Sequence, residues 1–326
     1  MFSKRGYAMP FQLLKEIANW KLEAKLENNK RYFFHTKDTH QIESGERCYV
    51  IGRKGSGKTA ICEYLKSIHA YDNFTVKLSF KNFPYNLLYE HSNSAFTYPN
   101  QYITIWKYII YLNVAKLMIG NYNIDAKIRT CFENLFRGKL EKSLADSFKE
   151  WVGTSFNISA CGIEAGIEIS KEHRKNNMQL SDRVELLEDV LAKVMDGSRY
   201  IILFDELDED YKDIGEAEKH KLYISLLTSL FKAIQDVKSL YFNHGKVLPV
   251  IFLRNDIYDF ITDSDKNKWD DFRIDLNWDE PKINSLIAFR ISRAINEEGV
   301  TLPFSEAWGS ISTDDLIPIG NRQEKK

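Results

Sequence analysis

Cysteine is scarce in this chain, four residues in 326, and Cys48, Cys62, Cys131 and Cys161 lie far apart. They form no C-x-x-C pair, and the seven histidines include no H-E-x-x-H. That spacing argues against a zinc ribbon or a disulfide framework, and the expectation is reduced core thiols in a cytosolic protein. Long apolar runs are missing too. The most apolar helix candidate, 105–120, is broken by Lys107, Asn113 and Lys116, short of the ~20 apolar residues that span a bilayer. The first twenty residues hold no apolar stretch of signal-peptide length. A soluble, cytoplasmic protein with no membrane partner is expected. Charge of one sign is not in excess either: 45 Lys and Arg oppose 46 Asp and Glu, a net of −1. No global basic field therefore advertises nucleic acid. Repeats and low-complexity tracts are absent as well.

What remains is an ordinary globular composition, 44% hydrophobic and 28% charged, with length for roughly two domains. Local charge is less even. Residues 1–70 carry 13 basic against 7 acidic groups, and residues 181–220 carry 5 against 13. The first excess surrounds a glycine-rich loop, the second an acidic strand end. Periodicity predicts helices over 11–28, 101–120, 124–136, 139–151, 181–195, 219–237 and 281–295, the last with Asp279 or Glu280 near its start. Residues 31–46 read as polar and turn-like. Strands are expected at 48–51, 75–80, 200–204, 247–253 and 273–278, and a β-ribbon or hairpin over 154–170. Pro249 cannot donate to a ladder, so pairing of the fourth strand is expected to begin at or after it. Continuous apolar strands alternating with helices favour a three-layer α/β domain with a parallel sheet.

The strongest local signal is Gly52-Arg53-Lys54-Gly55-Ser56-Gly57-Lys58-Thr59, a complete G-x-x-x-x-G-K-[ST]. Glycines let the loop curl so that successive N–H groups converge on phosphate oxygens. The following helix, entered through Lys58, Thr59 and Ala60, adds the positive end of its dipole. Lys58 is suited to the β- and γ-phosphates, and the Thr59 hydroxyl to Mg²⁺. The second signal is Asp205-Glu206 after the apolar run 200–204. A carboxylate there can hold a hydrated Mg²⁺, and its neighbour can orient or deprotonate water. Alone, such an ending is an ordinary solvated strand terminus; the phosphate loop gives it meaning. Asp208, Glu209 and Asp210 read as a solvated acidic turn.

Together IGRKGSGKT and ILFDE resemble the Walker A and Walker B motifs of P-loop NTPases, in the branch with a catalytic glutamate that includes AAA+ and STAND ATPases. The strings YFFHTKDTHQIESGERCYVIGRKGSGKTAI, FDELDE and LRNDIYD are similar to a bacterial group of STAND-like ATPases, over residues 31–65 and 199–295. The resemblance implies ATP and Mg²⁺, with Lys58 on phosphate, Thr59 and Asp205 on the metal, and Glu206 on the lytic water. It also implies a polar γ-phosphate sensor at Arg254 or Asn255; a strand-end ion pair with Asp256 or another acid is the alternative. Residues 284–295 resemble the start of a helical lid, where Arg290 and Arg293 either contact phosphate or belong to a solvated helix face. Too few residues follow for the lid of several helices that AAA+ proteins carry.

The expected organisation is an N-terminal helical segment over 1–40 and a P-loop ATPase core over 41–89 and 181–279. An inserted, mainly helical subdomain over 90–180 and a partial lid with a tail over 280–326 complete it. The expected function is Mg²⁺-dependent ATP hydrolysis coupled to a conformational or assembly switch, with a protein partner or homo-oligomer. Bacterial stress or antiviral defence would suit such a switch by analogy. Rivals are a non-hydrolysing ATP-gated scaffold, a phosphotransferase and a nucleic-acid-stimulated ATPase. Aromatic residues over 74–102 either stack on nucleic acid or pack a core.

Overall fold

The structure is a computed structural model that describes residues 8–68, 70–97, 100–136, 143–153, 178–208, 217–241, 246–312, 316–319 and 322–325. The expected ribbon over 154–170 lies outside the described residues, as do Glu209 and Asp210 of the acidic turn. The chain divides into two compact units, one formed by Gln41–Lys58 and Ile68–Leu276, the other by Met1–His40, Thr59–Ser67 and Asn277–Lys326.

The larger unit is α/β. Its sheet contains β1 (Tyr49–Gly52), β2 (Asn73–Ser79), β3 (Arg199–Asp205), β4 (Lys246–Leu253) and β5 (Arg273–Leu276). All are parallel, in the order β2-β3-β4-β1-β5. The apolar runs of β1 and β3 are buried throughout, as strands of a covered parallel sheet must be. Pairing of β4 does not wait for Pro249: the ladder with β3 already runs from Lys246, with Pro249 opposite Ile202. Direction explains this. The Ile251 N–H turns toward β1 and bonds Cys48 O at 2.9 Å. Pro249, two residues earlier, faces the same side at a level where β1 has not begun, so no donor is missed.

Helices Ile103–Met118, Leu180–Val194 and Ala217–Leu240 share one hydrophobic cluster with β1, β3 and β4. Trp106, fully buried, donates from Nε1 to Leu226 O at 2.8 Å, and Tyr108 donates to Trp151 O at 2.6 Å. The described helices of the expected 90–180 insertion thus contribute to the same core as the sheet. So do the aromatics: Phe80, Phe83, Tyr85 and Tyr102 are buried, with Phe80 packed on Trp106 at 5.6 Å between ring centroids. Core packing accounts for them. Cys48 and Cys62 are buried thiols outside any disulfide, but Cys131 is disulfide-bonded, a departure from the expected set of reduced thiols.

The smaller unit is mainly helical. The helix expected over 11–28 ends early, at Ala18, and a separate short helix Asn29–Tyr32 follows, where Asn28 caps the backbone of Arg31. Helix Glu280–Ile295 starts where the sequence places it, with Asp279 accepting from the Lys282 N–H at 2.8 Å. Ala288 and Ile291 of that helix pack with Ala307, Ile17 and Trp20. A short helix, Phe304–Gly309, and an antiparallel pair, β6 (Leu316–Ile319) with β7 (Arg322–Lys325), complete the tail.

Candidate functional site

β1 ends at Gly52, and the chain turns through Arg53–Gly57 before helix Lys58–Ser67 begins. The turn needs its glycines. Gly55 and Gly57 sit at φ 81° and 96°, a region L side chains avoid. Gly52 is tight for another reason: a Cβ there would lie 2.4 Å from Ser56 Oγ. Arg53 and Lys54 are exposed, and Ser56 is buried. The Lys58 ammonium folds back over the loop, donating to Gly52 O at 2.8 Å and Arg53 O at 2.9 Å. Thr59 and Ala60 continue the first turn of the helix.

β3 ends at Asp205, whose backbone carbonyl accepts from the Phe80 N–H at 3.1 Å. Strand β2 lies alongside, with Ser79 paired to Asp205 and Lys77 to Leu203. Lys77 and Ser79 are two apart and so share one face of β2. Both reach the acidic pair. Lys77 Nζ lies 2.9 Å from Asp205 Oδ2, with side chains only 7% and 4% exposed, and Ser79 Oγ donates to Glu206 Oε2. Glu206 has a left-handed backbone, φ 61°, unusual for a residue with a Cβ. An extended Glu206 would send its side chain to the other face of the strand; the left-handed turn brings it back toward Ser79.

β4 delivers the third part. Arg254 follows the strand, with its Nε 3.0 Å from Asp256 Oδ1 and its NH1 3.5 Å from Asp208 Oδ2. The hydrogen bond that Arg254 donates to Asp256 holds the guanidinium pKa above its usual value, and the Asp256 carboxyl is pulled below its own. The strand-end ion pair, one of the two readings of Arg254, is therefore formed, while Asn255 opens the short helix Asn255–Asp259. The Lys58 ammonium feels the charges of the other two strand ends. Burial lowers the Lys58 pKa, Asp208 and Asp205 raise it, Arg254 lowers it and Asp256 raises it. Topology explains the convergence. The chain leaving β1 next enters the sheet at β2, on one side, and the chain leaving β4 next enters it at β5, on the other. Neighbouring parallel strands with opposite exits open a crevice at their carboxyl ends, where α/β sheets bind ligands.

No cluster of three or more His, Cys, Asp or Glu side chains suited to a metal occurs among the described residues. Asp205 nevertheless fits a cation in one respect: its buried Oδ2 has no aligned hydrogen bond, the Lys77 contact being an ion pair. A single carboxylate with substrate phosphates is the mode Mg²⁺ favours over a protein cage.

No protein-family model matches the chain, and no solved structure matches it. It is 23% identical over 310 residues to the putative transposon gamma-delta 80.3 kDa protein of Escherichia coli K12. That alignment covers 89% of this chain and 41% of the other, so the chain spans about two-fifths of that relative's length.

Two residues of the site escaped the sequence reading. Lys77 and Ser79 were legible only as the polar half of an alternating strand, and their signal would have been that the strand beside an acidic strand end carries Lys-x-Ser on one face. Arg290 and Arg293, placed by the sequence in an expected lid, are engaged within the smaller unit. Arg290 lies over Trp20 at 4.5 Å and pairs with Glu27, and Arg293 donates to Gly299 O.

Proposed function

We propose that this chain is a Mg²⁺-dependent ATPase with a three-layer P-loop core, whose turnover drives a conformational or assembly switch. The observation that carries the reading is the glycine geometry of the Gly52–Lys58 loop, with Gly55 and Gly57 at positive φ, together with the charge that Asp208 and Asp205 exert on Lys58. N–H groups of the loop would cradle the β-phosphate. Lys58 would exchange its two carbonyl partners for phosphate oxygens, a charge-assisted bond replacing two neutral acceptors. Asp205, together with the Thr59 hydroxyl that the motif supplies, would hold Mg²⁺, which when bound neutralises charge on the β- and γ-oxygens. Glu206, already tethered by Ser79, would orient and accept a proton from the attacking water, and Arg254 or Asn255 would sense the γ-phosphate. Positioning and electrostatics would supply most of the rate.

The test is phosphate release from ATP by wild type and Glu206→Gln, with nucleotide binding measured separately. Turnover should fall by about 10²-fold or more in the variant while binding persists. Failure of the wild type to bind ATP would sink the proposal. A second reading draws on the gamma-delta relative, whose name places that protein on a transposon: an ATPase stimulated by nucleic acid. Adding duplex DNA to the same assay separates the two, because stimulation through phosphate contacts falls steeply with salt.

A further inference from the structure

We infer that Lys77 is a placeholder for the divalent cation, an internal ammonium that neutralises Asp205 until the metal arrives and then competes with it for the carboxylate. The inference rests on the ATPase reading above. Its basis is geometric. Ser79 is the residue directly opposite Asp205, yet Ser79 serves Glu206, and Lys77 runs forward along the strand by one pleat to reach Asp205. Both partners are nearly sealed from water, and a lone carboxylate at that depth would be expensive. The ammonium removes that penalty.

It does so incompletely. Nζ approaches Oδ2 at 2.9 Å without the alignment of a hydrogen bond, leaving directed lone-pair capacity on that oxygen. A divalent cation on the same carboxylate would meet the Lys77 charge at close range, and like charges cannot share one buried anion cheaply. Cation binding therefore requires Lys77 to leave Asp205. Among the described residues β2 pairs with β3 alone and forms one edge of the sheet, so a single ladder constrains it when that contact breaks.

The experiment uses Mn²⁺ as the probe, with free Mn²⁺ read by electron paramagnetic resonance at saturating ADP. Wild type, Lys77→Met and Lys77→Arg are compared, each checked for folding by circular dichroism. Lys77→Met should bind Mn²⁺ about tenfold tighter, a typical size for coupling between ligands, and Lys77→Arg should not. A structural role for Lys77 would only weaken binding. Unchanged or weaker Mn²⁺ binding by folded Lys77→Met, with ADP affinity intact, overturns the inference and leaves the ATPase reading standing. If wild type binds no ADP, that reading fails and takes this one with it. Should Lys77→Met not fold, acetylation of wild-type Lys77 followed by mass spectrometry decides: labelling should rise on adding Mn²⁺ and ADP, and unaltered labelling overturns the inference.

Discussion

Glu206 is held in a backbone region that costs a residue with a Cβ about 1–2 kcal/mol. That cost is worth enduring only where direction matters, and here it turns the carboxylate toward Ser79. Stability and activity should therefore separate at this residue. Glu206→Asn, which tolerates left-handed backbone, should melt within about 2 °C of wild type and, on the ATPase proposal, lose turnover. Glu206→Val, branched at Cβ, should be less stable than the Asn variant by about 1–2 kcal/mol in urea. Equal stability of the two variants would remove strain from the account. None of this was visible in the letters Asp-Glu. The motif names the carboxylate, but its backbone angle depends on where β2 lies, and that is a property of the assembled sheet.

At the scale of elements, legibility followed burial. β1, β3 and β4 were readable because a covered parallel strand must be apolar along its whole length. Helix Glu280–Ile295 was readable from Asp279 at its cap. The reading failed where one signal had two structural meanings. Thr75, Lys77 and Ser79 alternate with apolar residues, which fits a solvent face as well as a site face, and only the neighbouring β3 decides between them. Helix Ile103–Met118 shows the same ambiguity. Its residues are buried nearly all round, so it has no clean polar stripe and could equally have filled a separate core. Trp106 binds it to helix Ala217–Leu240 through Leu226 O. Trp106→Phe should lower the unfolding free energy by about 1–3 kcal/mol, through lost volume and the lost donor. A loss under about 0.5 kcal/mol in urea titration would show that this contact is not central to the larger unit.

The whole molecule should be acid-sensitive in a defined direction. Burial alone would raise the Asp196 carboxyl, but hydrogen bonds from Ser198 (2.6 Å), Asn121 (3.0 Å) and Tyr200 (2.9 Å) outweigh it and leave its pKa below normal. The hydrogen bond from Arg254 lowers Asp256 in the same sense. Such groups stabilise the fold above the unfolded carboxylate pKa of about 3.9, and that contribution disappears as pH falls through their lowered folded values. Asp236, raised by burial, runs the other way and favours the fold on the acid side. The urea midpoint should therefore drop between pH 5 and pH 3 by less in Asp196→Asn than in wild type. An identical drop would place the acid sensitivity elsewhere. The α/β class and the two local motifs were legible in the sequence at this scale. The division into two units was not, because Thr59–Ser67 clusters apart from the strand that leads into it.

The clasp between Lys58 and the carbonyls of Gly52 and Arg53 bears on how this protein should be studied in a living cell. If the chain is the ATPase proposed above, an allele lacking the Lys58 amine would unlatch the loop before any nucleotide arrived, so its phenotype would mix lost catalysis with a loosened resting form. A Glu206→Gln allele leaves that latch closed. A phenotype shared by both alleles would reflect turnover, and one confined to the Lys58 allele would report the shape of the loop itself.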